Sequence, residues 1–511
     1  MCLATLDARH VSQISTAQLL KAIISFGAVA VLFERLWIMS DLPLWLDETW
    51  SAMIATQTGW VAFWREAWLD CNPPVYYLLL KLWVIFAGDS NFVLRLPSLI
   101  FTTTAAFVAL KWAPKELGGT GAWTWAALLL FWMHSLTMSV DARGYGLMLL
   151  GSTACCIVFA KLYNRLSFRD AALWVALCDL LFLTHYFAAT LIAVQGVILI
   201  CRHRLDLVRV WPAGLIGIPA LAWFAYQMPR LQDYARPDVA WYDPLNSAST
   251  LHYTQYVFGH PAATFLPLVL LTAFAGLAFN FRKGRPDVSD SSRHFTNDAA
   301  LWATACSGLL GLLFAFALGA MQASLTGRYL VPLVPPIMLG IVLIALQSQK
   351  RELICTLLVG IYLVTSLNVV QLRQFAQNRN DYGYEKGSDF IAQYRPTHLV
   401  FAWDHPASKI LDKNSLEKIG GFFLHRSGLD FKTTALVLGE YDNPNTEIAK
   451  AANGERPAII WLYNTRRKSA ARHFPPTFEN NPEWICRHHT QPDANGELGA
   501  IACVKKGRAD A

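Results

Sequence analysis

Residues 300–320 have the sequence ALWATACSGLLGLLFAFALGA, a stretch without a single charged side chain. A helix of about 20 apolar residues is long enough to cross the hydrocarbon core of a bilayer. Inside that core every backbone N–H and C=O group must be satisfied within the protein, which favours a helix. The stretch therefore predicts a transmembrane helix.

Apolar stretches of similar character recur along the first three quarters of the chain. We identify about eleven of them that approach the length of a membrane span. They cover residues 17–38, 93–112, 121–139, 145–162, 171–185, 187–201, 210–228, 262–280, 300–320, 330–347 and 352–371. The pair that meets at His185 contains the shortest two. The pattern predicts an all-α polytopic membrane helical bundle.

The composition agrees with this prediction. Hydrophobic residues make up 54% of the 511 residues and charged residues only 15%, whereas a soluble domain carries about 25% charged residues. The mean hydropathy is +0.32. The long uncharged stretches end near residue 372, and the remainder has the composition of a globular domain. We therefore predict a transmembrane module over residues 1–372 and a soluble domain over residues 373–511.

The formal net charge of +7 is spread over short Lys and Arg clusters between the apolar stretches. A nucleic-acid-binding protein concentrates its basic residues on one face or tail, so this distribution argues against a nucleic-acid partner. Short loops rich in Lys and Arg lie on the cytoplasmic side of a membrane. The loops that alternate along the chain fall on two sides of the membrane. One set of loops holds roughly fourteen Lys and Arg residues and the other set roughly seven. We therefore predict a multi-pass protein of the cytoplasmic (inner) membrane with its N-terminus in the cytoplasm.

An odd number of spans places the C-terminal domain on the extracytoplasmic side. Cys486 and Cys503 flank the turn-like stretch QPDANGELG and are positioned to close a hairpin. A disulfide between them requires an oxidising compartment, which agrees with that side.

The C-terminal domain alternates short apolar stretches with helix-like ones. THLVFAWDH, TALVLGEYD and RPAIIWLYN predict strands, SKILDKNSLEKIGGFFLHR and NTEIAKAANGER predict helices, and NPEWICRHH with GAIACVKK predicts a terminal hairpin. This is the pattern of a small α/β domain.

The first extracytoplasmic loop, residues 41–92, is half apolar and rich in Trp and Tyr. Aromatic rings with one polar edge collect at the membrane interface. Proline interrupts helices, so Asn72-Pro73-Pro74 predicts a break between two interfacial helices, the second being VYYLLLKLWVIF.

Polar residues at the outer ends of the apolar stretches are the candidate site. They are Asp47, Glu48, Asn72, Asp141, Arg143, Tyr145, His185, Tyr186, Arg328 and Tyr329. A partly solvated carboxylate can act as a base or hold a cation. Structural interpretations stay open for each: an acidic helix start at Asp47-Glu48, an interfacial ion pair of Asp141 with Arg143, and an Arg328 side chain that reaches the headgroups.

The order of the motifs resembles a known group. LWLDETW (44–50), NPPVYYLLLKLW (72–83), LRLPS (94–98), SVDARGYGLMLL (139–150), THYF (184–187) and GRYLVPLVPP (327–336) follow one another along the chain. This order is similar to that of the GT-C superfamily of polyprenyl-phosphate-sugar-dependent glycosyltransferases. The likeness is greatest to the glycosyltransferase 39 and protein-mannosyltransferase-like enzymes, whose relatives add aminoarabinose to lipid A. The resemblance spans roughly residues 17–372.

The resemblance implies an enzyme that moves a sugar from a polyprenyl-phosphate carrier to an acceptor hydroxyl of a glycan, lipid or protein outside the cytoplasm. Asp47 matches the family's first acidic position, as base or metal-holding carboxylate, with Glu48 beside it, and Asp141 matches the second. Either acid is a candidate ligand for a divalent metal. The donor phosphate and substrate then fall to Asn72, Arg143, Tyr145, His185, Tyr186, Arg328 and Tyr329.

Two positions depart from the family pattern. Asn72 stands where many relatives have His before Pro-Pro, and Asp141 stands where Glu is usual. These changes bear on acceptor and metal preference and leave the acidic chemistry in place.

Two alternatives belong to other classes of protein. A transporter or flippase of a lipid-linked or small polar substrate is also polytopic, with Asp179 or Glu34-Arg35 as intramembrane polar groups. The sequence shows no internal repeat of the kind that many transporters have. A non-catalytic scaffold would present the C-terminal domain without requiring acids at the outer boundary.

Overall fold

The computed structural model describes most of the chain. Its described residues are 15–40, 42–235, 244–259, 298–367, 384–403, 413–429, 432–438, 442–454, 456–464, 476–490 and 498–506. The predicted span 262–280 and the predicted domain boundary at 372/373 lie outside them.

The first part of the described chain is helical. Its α-helices are α1 (Thr16–Met39), α2 (Leu46–Ala55), α3 (Trp60–Leu69), α4 (Val75–Ala87), α5 (Asn91–Trp112), α6 (Gly118–Phe131), α7 (Met133–Ser139), α8 (Tyr145–Asn164), α9 (Phe168–Phe182), α10 (Ala189–His203), α11 (Ile218–Tyr234), α12 (Ser247–Phe258), α13 (Ala299–Met321), α14 (Val334–Leu346) and α15 (Arg351–Ser366). Short 3-10 helices cover Lys115–Leu117, Tyr186–Ala188, Arg204–Gly217 and Gly327–Leu333.

Among the described residues, six helical stretches are long and apolar enough to cross a membrane. They are Thr16–Met39, Asn91–Trp112, Tyr145–Asn164, Tyr186–Tyr234, Ala299–Met321 and Gly327–Leu346. This confirms the predicted polytopic bundle. The count of about eleven spans stays a prediction.

Three predicted spans differ in detail from the helices observed. Residues 121–139 are divided between α6 and α7 at Trp132, whose backbone is non-helical. Residues 187–201 and 210–228 lie in one continuous helical stretch, because the 3-10 helix Arg204–Gly217 joins α10 to α11. Composition alone does not reveal either feature, since both segments are apolar throughout.

The loop predicted to be the first extracytoplasmic one, residues 41–92, is called the first outer loop; its described residues form three helices, not the two that were predicted. The break at Asn72-Pro73-Pro74 is present, and α4 follows it as expected. A second break between α2 and α3 was missed. It has a polar, glycine-containing sequence, Gln57-Thr58-Gly59, and Gly59 is the N-cap of α3. Gly88, with φ of 89°, then ends α4 in a conformation that favours glycine.

Helices α5 and α8 pack closely, and one glycine permits it. A Cβ atom at Gly146 would lie 2.8 Å from the carbonyl oxygen of Ser98. The close approach brings the hydroxyl of Ser98 to the carbonyl of Arg143, to which it donates at 3.2 Å. The packing of two spans thus fixes the segment that precedes α8.

The C-terminal part has three α-helices of eight residues or more and a five-stranded sheet among the described residues. These are α16 (Tyr384–Ala392), β1 (His398–Trp403), α17 (Lys413–Arg426), β2 (Lys432–Val437), α18 (Pro444–Ala451), β3 (Pro457–Asn464), β4 (Trp484–Thr490) and β5 (Leu498–Lys505). The strand order is β2-β1-β3-β5-β4. The first three strands are parallel and β5 and β4 are antiparallel. The predicted small α/β domain is confirmed.

Alternation along β1 places its side chains in two cores. Leu399 and Phe401 pack with residues of α17, whereas Val400 and Ala402 pack with Ile448 of α18. Cys486 and Cys503 face each other on β4 and β5 and form the predicted disulfide.

The sheet domain shares a hydrophobic cluster with the first outer loop. Phe63 of α3 and Tyr77 of α4 belong to the same buried cluster as Phe401 of β1 and Phe423 of α17. The domain therefore lies against the loop that carries the first candidate site residues.

Candidate active site

Several connecting segments meet beside the first outer loop. They are the start of α2, the turn between α7 and α8, the turn after α9 and the 3-10 helix Gly327–Leu333. Each follows or precedes an apolar helix, so the helical bundle positions all of them. Most of the predicted site residues lie on these segments.

Asp47 and Arg328 form an ion pair. The Asp47 Oδ2 atom lies 2.8 Å from Arg328 Nη1, and both side chains are 23% exposed. The guanidinium also lies over the ring of Trp45, with its carbon 5.4 Å from the ring centroid. The acid and the base come from segments 281 residues apart. Water reaches both partners, so a bound anion can compete for the arginine.

Arg143 lies deeper in the same site. Its Nη1 atom donates to the backbone carbonyl of Asp47 at 3.2 Å, to Ser51 Oγ at 3.3 Å and to the Tyr77 hydroxyl at 3.4 Å. Burial opposes its charge, yet its neighbours Tyr77 and Asp47 raise the pKa of Arg143 above its ordinary value. The site therefore holds a second permanent cation.

Asp141 is almost fully buried. Its Oδ1 atom accepts a hydrogen bond of 3.0 Å from Trp45 Nε1. Trp45 is the N-cap residue of α2, and Asp47 lies in the first turn of that helix. The second predicted acid thus anchors the segment that carries the first.

Glu48 and Arg95 form a second ion pair, which is fully buried. Arg95 Nε lies 2.7 Å from Glu48 Oε1 and Arg95 Nη2 lies 2.6 Å from Glu48 Oε2, with both side chains 0% exposed. Glu48 Oε1 also accepts from the Ala142 backbone N–H at 2.8 Å. This carboxylate joins the start of α2 to the turn between Asp141 and Arg143.

Arg95 extends this network to the residues before α2. Its Nη1 and Nη2 atoms donate to the carbonyl oxygens of Leu42 and Pro43 at 2.6 and 2.8 Å. The next residue, Leu44, donates its N–H to Glu385 Oε2 of the C-terminal domain at 3.1 Å. Asn91 at the start of α5 donates to both oxygens of Glu385, at 2.8 and 2.9 Å.

A small pocket lies beside Arg143. It is lined by Asn72, Pro73, Tyr76, Tyr77, Arg143, Gly144, Tyr145, Thr184 and His185. Four of these residues were predicted from the sequence. Asn72 Nδ2 donates to Asp70 Oδ2 at 3.1 Å, and the Tyr77 hydroxyl donates to the same carboxylate. Asp70, which is not a lining residue, thus accepts hydrogen bonds from two residues that line the pocket.

His185 occupies the connection between α9 and the following 3-10 turn. Its Nδ1 atom accepts from the Phe187 N–H at 3.3 Å, and its ring centroid lies 4.4 Å from that of Tyr329. Burial, with Arg143 and Arg328, lowers the pKa of His185 to about 3. The imidazole is therefore neutral at physiological pH.

One predicted residue faces away from this pocket. The Tyr186 hydroxyl donates to Gln227 of α11, and its ring packs against Phe182 and Phe224. Gln227 in turn donates to the Asp70 carbonyl at 2.6 Å. Tyr186 thus supports the pocket through a neighbouring helix.

Sequence reasoning missed Arg95, Asp70 and Tyr77 as members of the site. Arg95 interrupts the apolar stretch that becomes α5, and a charge inside such a stretch is itself an indication of function or pairing. Tyr77 had no comparable indication, because aromatic residues are frequent in the whole loop.

The residues present do not fit a divalent metal. Among the described residues there is no group of three or more His, Cys, Asp or Glu side chains able to hold one. The candidate ligands have other partners, since Asp47 pairs with Arg328 and Asp141 accepts from Trp45. A metal beside two guanidinium groups would also be repelled by them.

No family model and no curated protein matches this chain. Two solved structures have a similar fold. ArnT from Cupriavidus metallidurans in the apo state has a TM-score of 0.55 at 13% identity, covering 96% of this chain and 98% of that chain. ArnT from the same organism bound to undecaprenyl phosphate has a TM-score of 0.53 at 13% identity, covering 94% and 97%. The chain therefore has the fold of ArnT over nearly its whole length, which includes residues 17–372, where the motif order predicted the resemblance.

Proposed function

We propose that this protein is a membrane glycosyltransferase. It transfers a hexose or pentose from a polyprenyl-phosphate carrier to an acceptor hydroxyl of a glycan, lipid or protein on the extracytoplasmic side. The observation that carries the proposal is the partly exposed Asp47–Arg328 pair with Arg143 beside it. A structure of similar fold, ArnT from Cupriavidus metallidurans, was solved bound to undecaprenyl phosphate, which supports the donor class.

In this proposal Arg328 binds the donor phosphate and Asp47 contacts the acceptor hydroxyl. A phosphate matches the planar fork of a guanidinium, so it competes with Asp47 for Arg328. Asp47 then becomes available as a base. The acceptor oxygen forms a bond to the anomeric carbon as the bond from that carbon to the phosphate oxygen breaks. Asp47 takes the acceptor proton, and polyprenyl phosphate leaves with its charge stabilised by Arg328 and Arg143.

Glu48 has a positioning role in this proposal. Its two oxygens are engaged by Arg95 and the Ala142 N–H, and water does not reach it. A carboxylate held in this way cannot approach a substrate. It instead fixes the start of α2, which carries Asp47, relative to the turn that carries Asp141. Asp141 acts in the same way through Trp45.

The remaining residues bind or orient the substrate. Asn72, Tyr145 and neutral His185 line the pocket beside Arg143 and offer donors and acceptors for sugar hydroxyls. Tyr329 packs on His185, and Tyr186 supports the pocket from behind.

The topology belongs to the same proposal. Residues 1–372 form the membrane module with a cytoplasmic N-terminus, and residues 373–511 form an extracytoplasmic domain. The Cys486–Cys503 disulfide supports this side, because such bonds persist in oxidising compartments.

Two of the polar side chains named for the transporter alternative, Asp179 and Arg35, form hydrogen bonds at helix ends. Asp179 Oδ1 accepts from the N–H of Ala220 near the start of α11 at 3.2 Å. Arg35 donates to the Leu130 carbonyl at the end of α6 and to Ser135 of α7. Both groups thus satisfy helix ends.

The test is transfer of label by the purified protein. Radiolabelled polyprenyl-phosphate sugars are incubated with the protein and a membrane extract. The proposal predicts that label moves to a new acceptor and that Asp47→Asn abolishes this movement. Uptake of the labelled compound into sealed vesicles without transfer would instead establish a transporter.

A further inference from the structure

The helices of the first outer loop line a second cavity, which is open to the surface and shares no lining residue with the pocket beside Arg143. Its volume is about 370 Å³, within the range of cavities that hold small ligands. Its lining combines polar side chains, among them Thr56, Thr58 and Lys81, with the apolar side chains of Trp60 and Ile85.

Lys81 brings a buried positive charge to this cavity. Its side chain is 6% exposed, and Nζ donates to the Gln57 carbonyl oxygen at 2.5 Å. Nζ also lies 5.3 Å from the ring centroid of Trp60 and 5.5 Å from that of Phe63. Within the described residues Lys81 forms no ion pair. An ammonium has three donors, and one carbonyl with two aromatic faces leaves its charge without a counter-ion.

The apolar part of the lining continues onto an exposed surface. Ile85 lines the cavity and is exposed, as are Leu82 and Phe86 on the same helix and Val61 on α3. In a membrane protein, exposed apolar side chains of this kind are covered by acyl chains. The cavity thus joins a buried cation to a lipid-facing surface.

We propose that this cavity binds the phosphodiester headgroup of an anionic glycerophospholipid. The phosphate accepts hydrogen bonds from Lys81, the headgroup lies beside the hydroxyls of Thr56 and Thr58, and the acyl chains follow Ile85. Asp89 lies on the rim as an exposed carboxylate. Its charge opposes a second negative charge on the ligand, so the site prefers a monoanionic phosphodiester to a phosphate monoester.

Occupancy of this cavity affects the helix that begins at the site. The cavity contains the C-terminal residue of α2, Ala55, and α2 carries Asp47 in its first turn. A bound headgroup neutralises Lys81 and holds the far end of α2 at the membrane surface. The proposal concerns lipid binding and does not depend on the transferase reaction.

The test is native mass spectrometry of the full chain in a mild detergent, titrated with phosphatidylglycerol, phosphatidic acid and phosphatidylcholine. We expect one phosphatidylglycerol per chain, bound at least about tenfold more tightly than phosphatidylcholine. Lys81→Gln removes this preference, whereas Lys81→Arg keeps it because the charge is retained. Lys111→Gln, at an exposed lysine near the end of α5, is the matched control and leaves binding unchanged.

A second variant keeps the test decisive if Lys81→Gln does not fold. Asp89→Asn changes an exposed side chain and raises the affinity for phosphatidic acid relative to phosphatidylglycerol by about threefold or more. Equal binding of the three lipids by the unaltered protein overturns the proposal. So does unchanged phosphatidylglycerol binding in Lys81→Gln, or an unchanged ratio of the two anionic lipids in Asp89→Asn.

Discussion

Two neighbouring carboxylates, Asp47 and Glu48, each pair with an arginine, and the two pairs differ in their access to water. Asp47 and Arg328 are both 23% exposed, and Asp47 Oδ2 lies 2.8 Å from Arg328 Nη1. Glu48 and Arg95 are 0% exposed and bonded through two nitrogens. The difference teaches that one pair can exchange partners and the other cannot.

The buried pair also forms hydrogen bonds to the backbone of neighbouring segments. Glu48 and Arg95 together hold the carbonyls of Leu42 and Pro43 and the N–H of Ala142. Removing one member leaves a buried charge without a partner, which is costly. We therefore assign reactivity to the exposed pair and rigidity to the buried one, and the variants below test that assignment.

The largest expected effect on transfer is that of Asp47→Asn. Loss of a general base lowers the rate by about 10²- to 10⁴-fold. The thermal unfolding midpoint stays close to that of the unaltered protein, because a partly exposed ion pair adds little stability. Rates are measured with labelled donor, and Asp206→Asn, at an exposed carboxylate, is the control. Full transfer by Asp47→Asn removes this residue from the mechanism.

Glu48→Ala is expected to act on folding first. It leaves Arg95 charged and unpaired in the interior, at a cost of about 3–5 kcal/mol, so the unfolding midpoint falls. The double variant Glu48→Leu/Arg95→Met recovers much of this stability but not the transfer rate, since the Ala142 N–H still lacks its acceptor. Comparable unfolding midpoints for Glu48→Ala and Asp47→Asn contradict the distinction between the pairs.

Arg328→Ala is expected to weaken donor engagement. A charge-assisted contact with phosphate is worth about 1.5–3 kcal/mol, so the donor KM rises about 10- to 100-fold. Arg328→Lys restores part of this, because it keeps the charge but not the fork geometry. Arg209→Ala, at an exposed arginine, serves as the control. An unchanged donor KM in Arg328→Ala rules out phosphate binding by this residue.

Glu385→Gln is expected to have the smallest effect. It weakens the contacts of the C-terminal domain with Leu44 and Asn91, each worth about 1 kcal/mol. We expect kcat to fall severalfold while the donor KM stays the same. Glu447→Gln, on α18 of the same domain, is the matched control. Equal kcat values for the two variants show that the contact has no positioning role.

The fold followed from the sequence because its determinants are local. Uncharged stretches long enough to span a bilayer and the alternating strands of the tail each carry their own pattern. The three helices of the first outer loop did not, since the turn at Gln57-Thr58-Gly59 resembles any polar interruption of an apolar segment. The joining of α10 to α11 through a 3-10 helix was missed for the same reason.

The site was only partly predictable from the sequence. Asp47 and Arg328 could be named, but their contact joins segments 281 residues apart, which no local pattern encodes. Glu48 was grouped with Asp47 because the two are adjacent. A helix turns by about 100° per residue, so neighbours point in different directions, one toward the solvent-accessible site and the other into the protein.

The cluster shared by the sheet domain and the first outer loop limits how the chain can be shortened. A protein that ended before Tyr384 would lose Phe401 and Phe423, and the cluster around Phe63 and Tyr77 would lose the part that the sheet domain contributes. The same cut would remove Glu385, an acceptor for the Leu44 N–H. The C-terminal domain therefore contributes to the packing of the first outer loop, and the two parts are best produced as one chain for functional study.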